Sequence, residues 1–144
     1  MDHWSAAAVA AVFIWLGMVL AISFLEAPLK FRAPGVTIPL GLGIGRLVFR
    51  ALNTCEAILA AIVVVALVAG TPGTGVVVAV AVAIAALLAQ VIGVRPALAR
   101  RSDAVLADAS QAEAGRSRAH YVYVVFEVVK VVALLFSGVL LLGF

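Results

Sequence analysis

Two sets of polar residues recur at helical spacing inside stretches that are otherwise apolar. Arg46, Arg50 and Asn53 follow i, i+4, i+7 and share one face, with Glu56 on its edge. His120, Tyr123, Glu127 and Lys130 follow i, i+3, i+7, i+10 and fall within about 80° of helical arc. At about 1.5 Å per residue, Glu56 stands about 15 Å beyond Arg46, and Lys130 about 15 Å beyond His120. Arg50 and Glu127 stand roughly 6 and 10 Å from those same origins. If both helices enter from one side, depth alone predicts two pairings across a contact between them, Glu56 with Lys130 and Arg50 with Glu127. Glu26 is expected to join by accepting from Arg46 or His120. Such residues offer ion pairing, anion binding and proton relay, and in lipid each unpaired charge would cost several kcal/mol.

The elements that position these residues follow from composition. The chain has 144 residues, 66% hydrophobic and 12% charged, against roughly 45–50% and 25% in soluble domains. Its mean hydropathy is +1.26. A chain this short cannot bury so much apolar surface in water, which excludes a soluble enzyme, a disordered regulator and a disulfide scaffold. Four stretches are long enough to cross a bilayer: Ala6 to Leu25, Leu47 to Ala69, Gly75 to Gly93 and Tyr121 to Phe144. The first is not a signal peptide, because no basic residue precedes it and its apolar run is too long. Residues 1–144 therefore read as a single all-α membrane domain, a bundle of four transmembrane helices.

Lys30, Arg32, Arg46 and Arg50 lie in or beside the first connection, and Arg95, Arg100, Arg101, Arg116 and Arg118 in the third. Nine of the ten basic residues thus fall on one side, which the positive-inside rule makes cytoplasmic, with both termini outward. Gly70 to Thr74 is an uncharged turn that makes helices 2 and 3 an antiparallel hairpin. Helix 3 carries small-residue rows, Ala79/Ala83 and Ala81/Ala85/Ala89, suited to close packing in lipid or between copies. Pro96 predicts a short amphipathic cytoplasmic helix ending before Gly115, in competition with a solvated linker.

Other signals are weaker. Gly41-Leu-Gly-Ile-Gly45 follows no strand, which removes a nucleotide fingerprint. Its glycine amides beside Arg46 keep open an anion site at the start of helix 2. Pro28, Pro34 and Pro39 predict a stiff first connection, re-entrant or interfacial. Cys55 stands alone and no metal set is expected; His3 and His120 are placed on opposite sides. Trp4 and Tyr121 read as interface anchors and Trp15 as packing. The net charge of +3 reads as basic loops, and without a basic run interleaved with aromatics no nucleic-acid partner is expected.

Phe24-Leu-Glu-Ala-Pro-Leu-Lys-Phe31 with Gly43-Ile-Gly-Arg-Leu-Val-Phe49, then Val94-Arg-Pro-Ala97 and Arg118-Ala-His120, resembles the transmembrane-protein-205-like family of four-helix proteins. That resemblance implies a small multi-pass membrane protein and no catalytic residues. Arg50-Ala-Leu-Asn53-Thr-Cys-Glu56 is similar to the helix 2 signature of the membrane-associated eicosanoid and glutathione metabolism family. The second resemblance implies that Arg50, Asn53 and Glu56 contact glutathione between subunits. Here the Arg-to-Asn spacing is one residue short, and the tyrosine- and arginine-bearing motif of helix 3 is missing.

Two readings of the polar cluster follow. In one, ion pairs clamp the bundle. In the other, Arg46, Arg50, Asn53, Glu56, His120, Tyr123, Glu127 and Lys130, with Glu26, line a cytoplasm-facing cavity between helices 2 and 4. The number of ionisable groups exceeds what a clamp requires and favours the second. The expected function is binding, with translocation or sensing, of a small polar or anionic ligand without covalent chemistry or a cofactor. The alternatives are a glutathione-dependent membrane enzyme and an accessory subunit of a larger membrane complex. A homo-oligomer or complex subunit in the lipid bilayer is expected, by default in a bacterial inner membrane, since no organelle address is read.

Overall fold

Asp2 opens the first helix by accepting the Ser5 N–H at 2.6 Å, the role an N-cap carboxylate fills where the first amides lack partners. This bond holds the Asp2 carboxyl below the usual carboxylate range. In the computed structural model, which describes residues 1–108 and 118–144, every regular element among those residues is a helix. Four rods long and apolar enough to span a membrane result: α1 His3–Arg32, α2 Ile38–Ala69, α3 Thr74–Ala107 and α4 Arg118–Leu141.

All four apolar stretches are helical, but three helices run further than the hydropathy pattern suggests. Helix α1 continues past Leu25 as a π-helical stretch, Leu20–Glu26, then through Ala27–Leu29 and a 3-10 turn, Lys30–Arg32. Pro28 sits in the first turn of that short segment, where a missing N–H is tolerated. The stiff first connection therefore shrinks to residues 33–37, turned by Gly35 at φ +81°. Helix α2 begins at Ile38, nine residues before Leu47, because Thr37 caps it by accepting from Leu40 N–H at 3.3 Å and Pro39 fits the first turn. Gly41 to Gly45 is helical, with Gly41 N–H given to the Thr37 carbonyl at 2.9 Å. Its amides belong to the helix ladder, so the anion site expected there is not formed. These glycines serve close approach instead. A Cβ at Gly41 would overlap the Phe31 ring, and one at Gly45 would lie 2.9 Å from Lys30 Nζ.

Helix α3 likewise continues, through a second π-helical stretch, Gln90–Val94, into Arg95–Ala107. The amphipathic helix expected from Pro96 is thus the end of α3 rather than a separate element. Its expected limit at Gly115, and Arg116, lie outside the described residues.

Helix α1 packs on α2 and α4, α3 packs mainly on α4, and α2 and α4 stand on the diagonal. Helices α2 and α3 are antiparallel but touch sparsely. Trp4, Gly70, Pro72 and Leu141 gather at one end, the terminal end; the helix ends that carry Lys30, Arg32, Arg46, Arg100, Arg101 and Arg118 form the other, the basic end. The α3 stripe Val76, Ala79, Val80, Ala83, Ala86 and Leu87 is buried, while Ala81 and Ala85 face outward. The α4 surface is equally small where it meets α1: a Cβ on Gly138 would lie 2.7 Å from the Phe13 ring. Small residues set these distances because, in lipid, close packing replaces the hydrophobic effect between helices. Large apolar side chains such as Val65, Val68, Leu135 and Phe136 point outward, as a lipid-facing surface requires.

Candidate functional site

Lys130 lies fully buried on α4, eleven residues from Leu141, so it is roughly 17 Å from that helix end. In a hydrocarbon core about 30 Å thick this is close to the middle. Nζ donates to Glu56 Oε1 at 2.5 Å and to Gln90 Oε1 at 2.8 Å, and it forms an ion pair with Glu127 Oε1 at 2.7 Å. The predicted Glu56–Lys130 pair is therefore present, but not across a helix–helix contact. The long lysine stem crosses the diagonal between α4 and α2, and α3 supplies the third acceptor.

Glu56 and Glu127 are each at most 1% exposed yet differ in their hydrogen bonds. Glu56 Oε1 also accepts from Trp15 Nε1 at 2.9 Å. Its Oε2 accepts from Asn53 at 3.0 Å, the amide being oriented so that its oxygen takes Arg95 Nη1 at 3.0 Å. Both oxygens of Glu56 are satisfied. Glu127 Oε1 pairs with Lys130 and accepts from Gln90 Nε2 at 2.6 Å, while Glu127 Oε2 is buried without a hydrogen bond. One turn nearer the basic end, the buried Tyr123 hydroxyl also lacks a partner among the described residues. The Tyr123 ring is fixed by Phe49, edge-on at 5.6 Å between centroids. The Tyr123 carbonyl accepts from Gln90 Nε2 at 3.3 Å.

A continuous polar chain results: half-buried Arg95, then Asn53, Glu56, Lys130, and Glu127 with Gln90. It ends against an apolar layer. Val12, Val63, Val80, Ala83 and Leu134, all at most 3% exposed, fill the bundle on the terminal side of Lys130.

Asn53, Glu56, Tyr123, Glu127 and Lys130 are brought together as the helical spacing implied. Arg50 is not; it is exposed, and the Glu127 carboxylate pairs with Lys130 instead. Along α2, Arg50 and Glu56 are six residues apart, which turns them about 120° from each other. Arg46 donates to Asp103 Oδ1 at 2.6 Å and to the Ala99 carbonyl at 3.3 Å, tying α2 to the end of α3. Glu26 lies 3.6 Å from Lys30 on its own helix, so its expected partnership with Arg46 is replaced on both sides. The Lys30 ammonium also sits 5.5 Å from the Phe31 ring and 5.6 Å from the Phe49 ring. His120 sits half-buried near the basic end, its ring edge-on to Tyr121 at 5.9 Å, far along the bundle from His3.

Trp15, Gln90 and Arg95 were missing from the sequence-derived site. Trp15 reads as packing until its indole N–H is seen to donate to Glu56. Gln90 was signalled as the one polar residue of its apolar run, a position that is costly in lipid without a partner. Arg95 is brought inward by the π-helical stretch, where its N–H bonds back to the Gln90 carbonyl. In a regular α-helix residues five apart would be turned roughly 140° from each other. The wider i→i+5 turn aligns Gln90 and Arg95 on the interior side, a use of π geometry common at functional sites.

No family model, curated protein or solved structure matches the chain.

Proposed function

We propose that the chain is a multi-pass membrane protein, its basic end cytoplasmic and its termini outward. In this reading it binds a small polar ligand between α2, α3 and α4 and translocates or senses it. The observation that carries this reading is the pair of buried, unpartnered atoms Tyr123 Oη and Glu127 Oε2. They stand at the inner part of a polar chain that starts at half-buried Arg95. In a membrane interior, where a polar atom without a partner is costly, such atoms are expected to take a guest. A clamp built only for stability would satisfy both carboxylates as it satisfies Glu56.

The lining favours a ligand that donates hydrogen bonds, neutral or cationic, over the anionic class. Lys130 Nζ is engaged by Glu56, Gln90 and Glu127, and the Arg46 guanidinium is paired with Asp103 at the basic end, with only its Nε unpartnered. One turn from Tyr123, the unused acceptor is Glu127 Oε2. The glutathione reading draws little support from the geometry, because Asn53 and Glu56 turn into the bundle and away from any surface between subunits. Membership of the transmembrane-protein-205-like family is compatible with this proposal and adds no site residue to it.

Thermal unfolding of the purified protein tests the reading against ammonium, methylamine, urea, glycine, phosphate and glutathione. Saturable stabilisation by a hydrogen-bond donor such as methylamine or urea is expected, about 2.7 kcal/mol at a hundredfold excess over Kd. That stabilisation should disappear in Tyr123→Phe. The proposal fails if none of these solutes stabilises the protein, or if stabilisation is unchanged in both Tyr123→Phe and Glu127→Gln. Stabilisation by glutathione that is lost in Arg50→Ala would instead favour the enzyme class.

A further inference from the structure

We infer that Glu127 is a proton-carrying residue, loaded at Oε2 from the basic end by way of the Tyr123 hydroxyl. This deepens the proposed function by naming the proton as a species the polar site takes, and it rests on that reading of the chain of polar groups that starts at half-buried Arg95.

Hydrogen-bond donors are shared unequally between the two buried carboxylates. Glu56 receives Trp15 and Lys130 on one oxygen and Asn53 on the other. A proton added to either oxygen of Glu56 would displace an existing donor. Glu127 receives Lys130 and Gln90 both on Oε1, and its Oε2 receives nothing. A proton added to Glu127 Oε2 therefore breaks no hydrogen bond. It also converts a bare acceptor into a donor on a residue one helical turn from Tyr123, whose buried hydroxyl is itself unpartnered among the described residues.

The groups around Glu127 support the assignment from every side. Helix α1 contributes the Trp15 indole, which is committed to Glu56, and nearer the basic end it carries the buried Ser23 hydroxyl and the Glu26 carboxylate, the latter 3.6 Å from Lys30. Helix α2 contributes Glu56 and Asn53, and α3 contributes Gln90 and Arg95, with Arg95 bonded to Asn53 and not to Glu127. On α4 itself stand Tyr123 and Lys130. Lys130 is the single cation paired with either carboxylate among the described residues, and its hydrogen bonds to Glu56 and Gln90 keep it in place as a fixed counter-charge. The transfer is a simple one. Hydronium gives its proton to Oε2 and leaves as water, forming one O–H bond and raising the cluster charge by one. Toward the terminal end the apolar layer at Leu134 and Val63 intervenes, and the buried Ser137 hydroxyl beyond it is committed to the Leu134 carbonyl at 2.9 Å. The proton enters and leaves on the basic side in this conformation.

Infrared difference spectra recorded on a pH step, with the protein in lipid vesicles, test the inference. A band of a protonated carboxyl group, shifted by deuterium oxide, is expected in the unaltered protein. It should be lost in Glu127→Gln, a variant that keeps an oxygen for Lys130 and whose melting confirms the fold. The band should persist in Glu26→Gln, and in Tyr123→Phe with slower deuterium exchange. Carboxylates such as the exposed Asp103 titrate in both proteins and cancel on subtraction, so a difference between the unaltered protein and Glu127→Gln that holds no titrating carboxyl band overturns the inference. Ligand stabilisation is a separate readout. The band can be present while no added solute binds, and solute binding can persist while no carboxyl group titrates.

Discussion

Two adjacent layers of the same bundle are closed by different means. On the terminal side of Lys130, Val12, Val63, Val80, Ala83 and Leu134 fill the interior by matching volumes, with small residues on α3 and α4 setting the helix distances. One turn toward the basic end, Trp15, Glu56, Gln90, Glu127 and Lys130 fill an interior that is just as inaccessible. There the fit is a count of donors and acceptors. The comparison separates closure by shape from closure by hydrogen-bond valence. The polar layer balances at Lys130 and Glu56 and falls one donor short at Glu127 Oε2. That shortfall has no counterpart in the apolar layer, and the proposed function rests on it.

The largest effect that would break the comparison comes from Lys130→Met. Two carboxylates then remain buried without a cation, and a loss of about 3–5 kcal/mol in unfolding free energy is expected. Adding Glu56→Gln should recover part of that loss, because the second change removes the stranded charge. Strictly additive losses in the double variant would contradict the pairing.

Trp15→Phe sharpens the comparison with a smaller change. It keeps most of the packing volume but removes the N–H given to Glu56, a bond to a charged acceptor worth about 1.5–3 kcal/mol. If Trp15 belonged only to the apolar layer, the loss would fall well below that range in the same unfolding measurement.

The smallest effects are expected at the basic end, outside both layers. Arg46→Ala breaks the ion pair with Asp103, whose side chains are 36% and 65% exposed, and should cost at most about 1 kcal/mol. Arg50→Ala should leave the unfolding free energy unchanged within error, since Arg50 is exposed. A large loss there would restore the Arg50–Glu127 pairing that depth arithmetic had predicted.

The sequence revealed the depth of each polar residue better than its direction. Counting residues from the basic end placed Glu56 level with Lys130, because rise per residue is nearly constant in any helix. Direction accumulates error. Arg50 shared a depth with Glu127 yet points about 120° away from Glu56. The diagonal placement of α2 and α4 was likewise hidden, since a long lysine stem and the Phe49–Tyr123 ring contact join helices whose backbones do not pack closely. The inward turn of Arg95 depends on a π-helical stretch that uniform α-helical spacing cannot anticipate. The early start of α2 was masked by three glycines, poor helix formers in water. Two of them, Gly41 and Gly45, lie directly against Phe31 and Lys30, where a side chain would not fit. Four apolar runs, by contrast, were long enough to announce four helices on hydropathy alone.

The central claim is that one buried ammonium holds two carboxylates and leaves one of their oxygens bare. Solid-state NMR of the protein in lipid, with labelled Lys130 Nζ and Glu carboxyl carbons, tests it most directly. Dipolar contacts from Lys130 Nζ to both Glu56 and Glu127 are expected, with the Glu127 carboxyl carbon alone changing shift as pH is lowered. A contact to only one carboxylate, or a pH-dependent shift at Glu56 with Glu127 unchanged, would contradict the account.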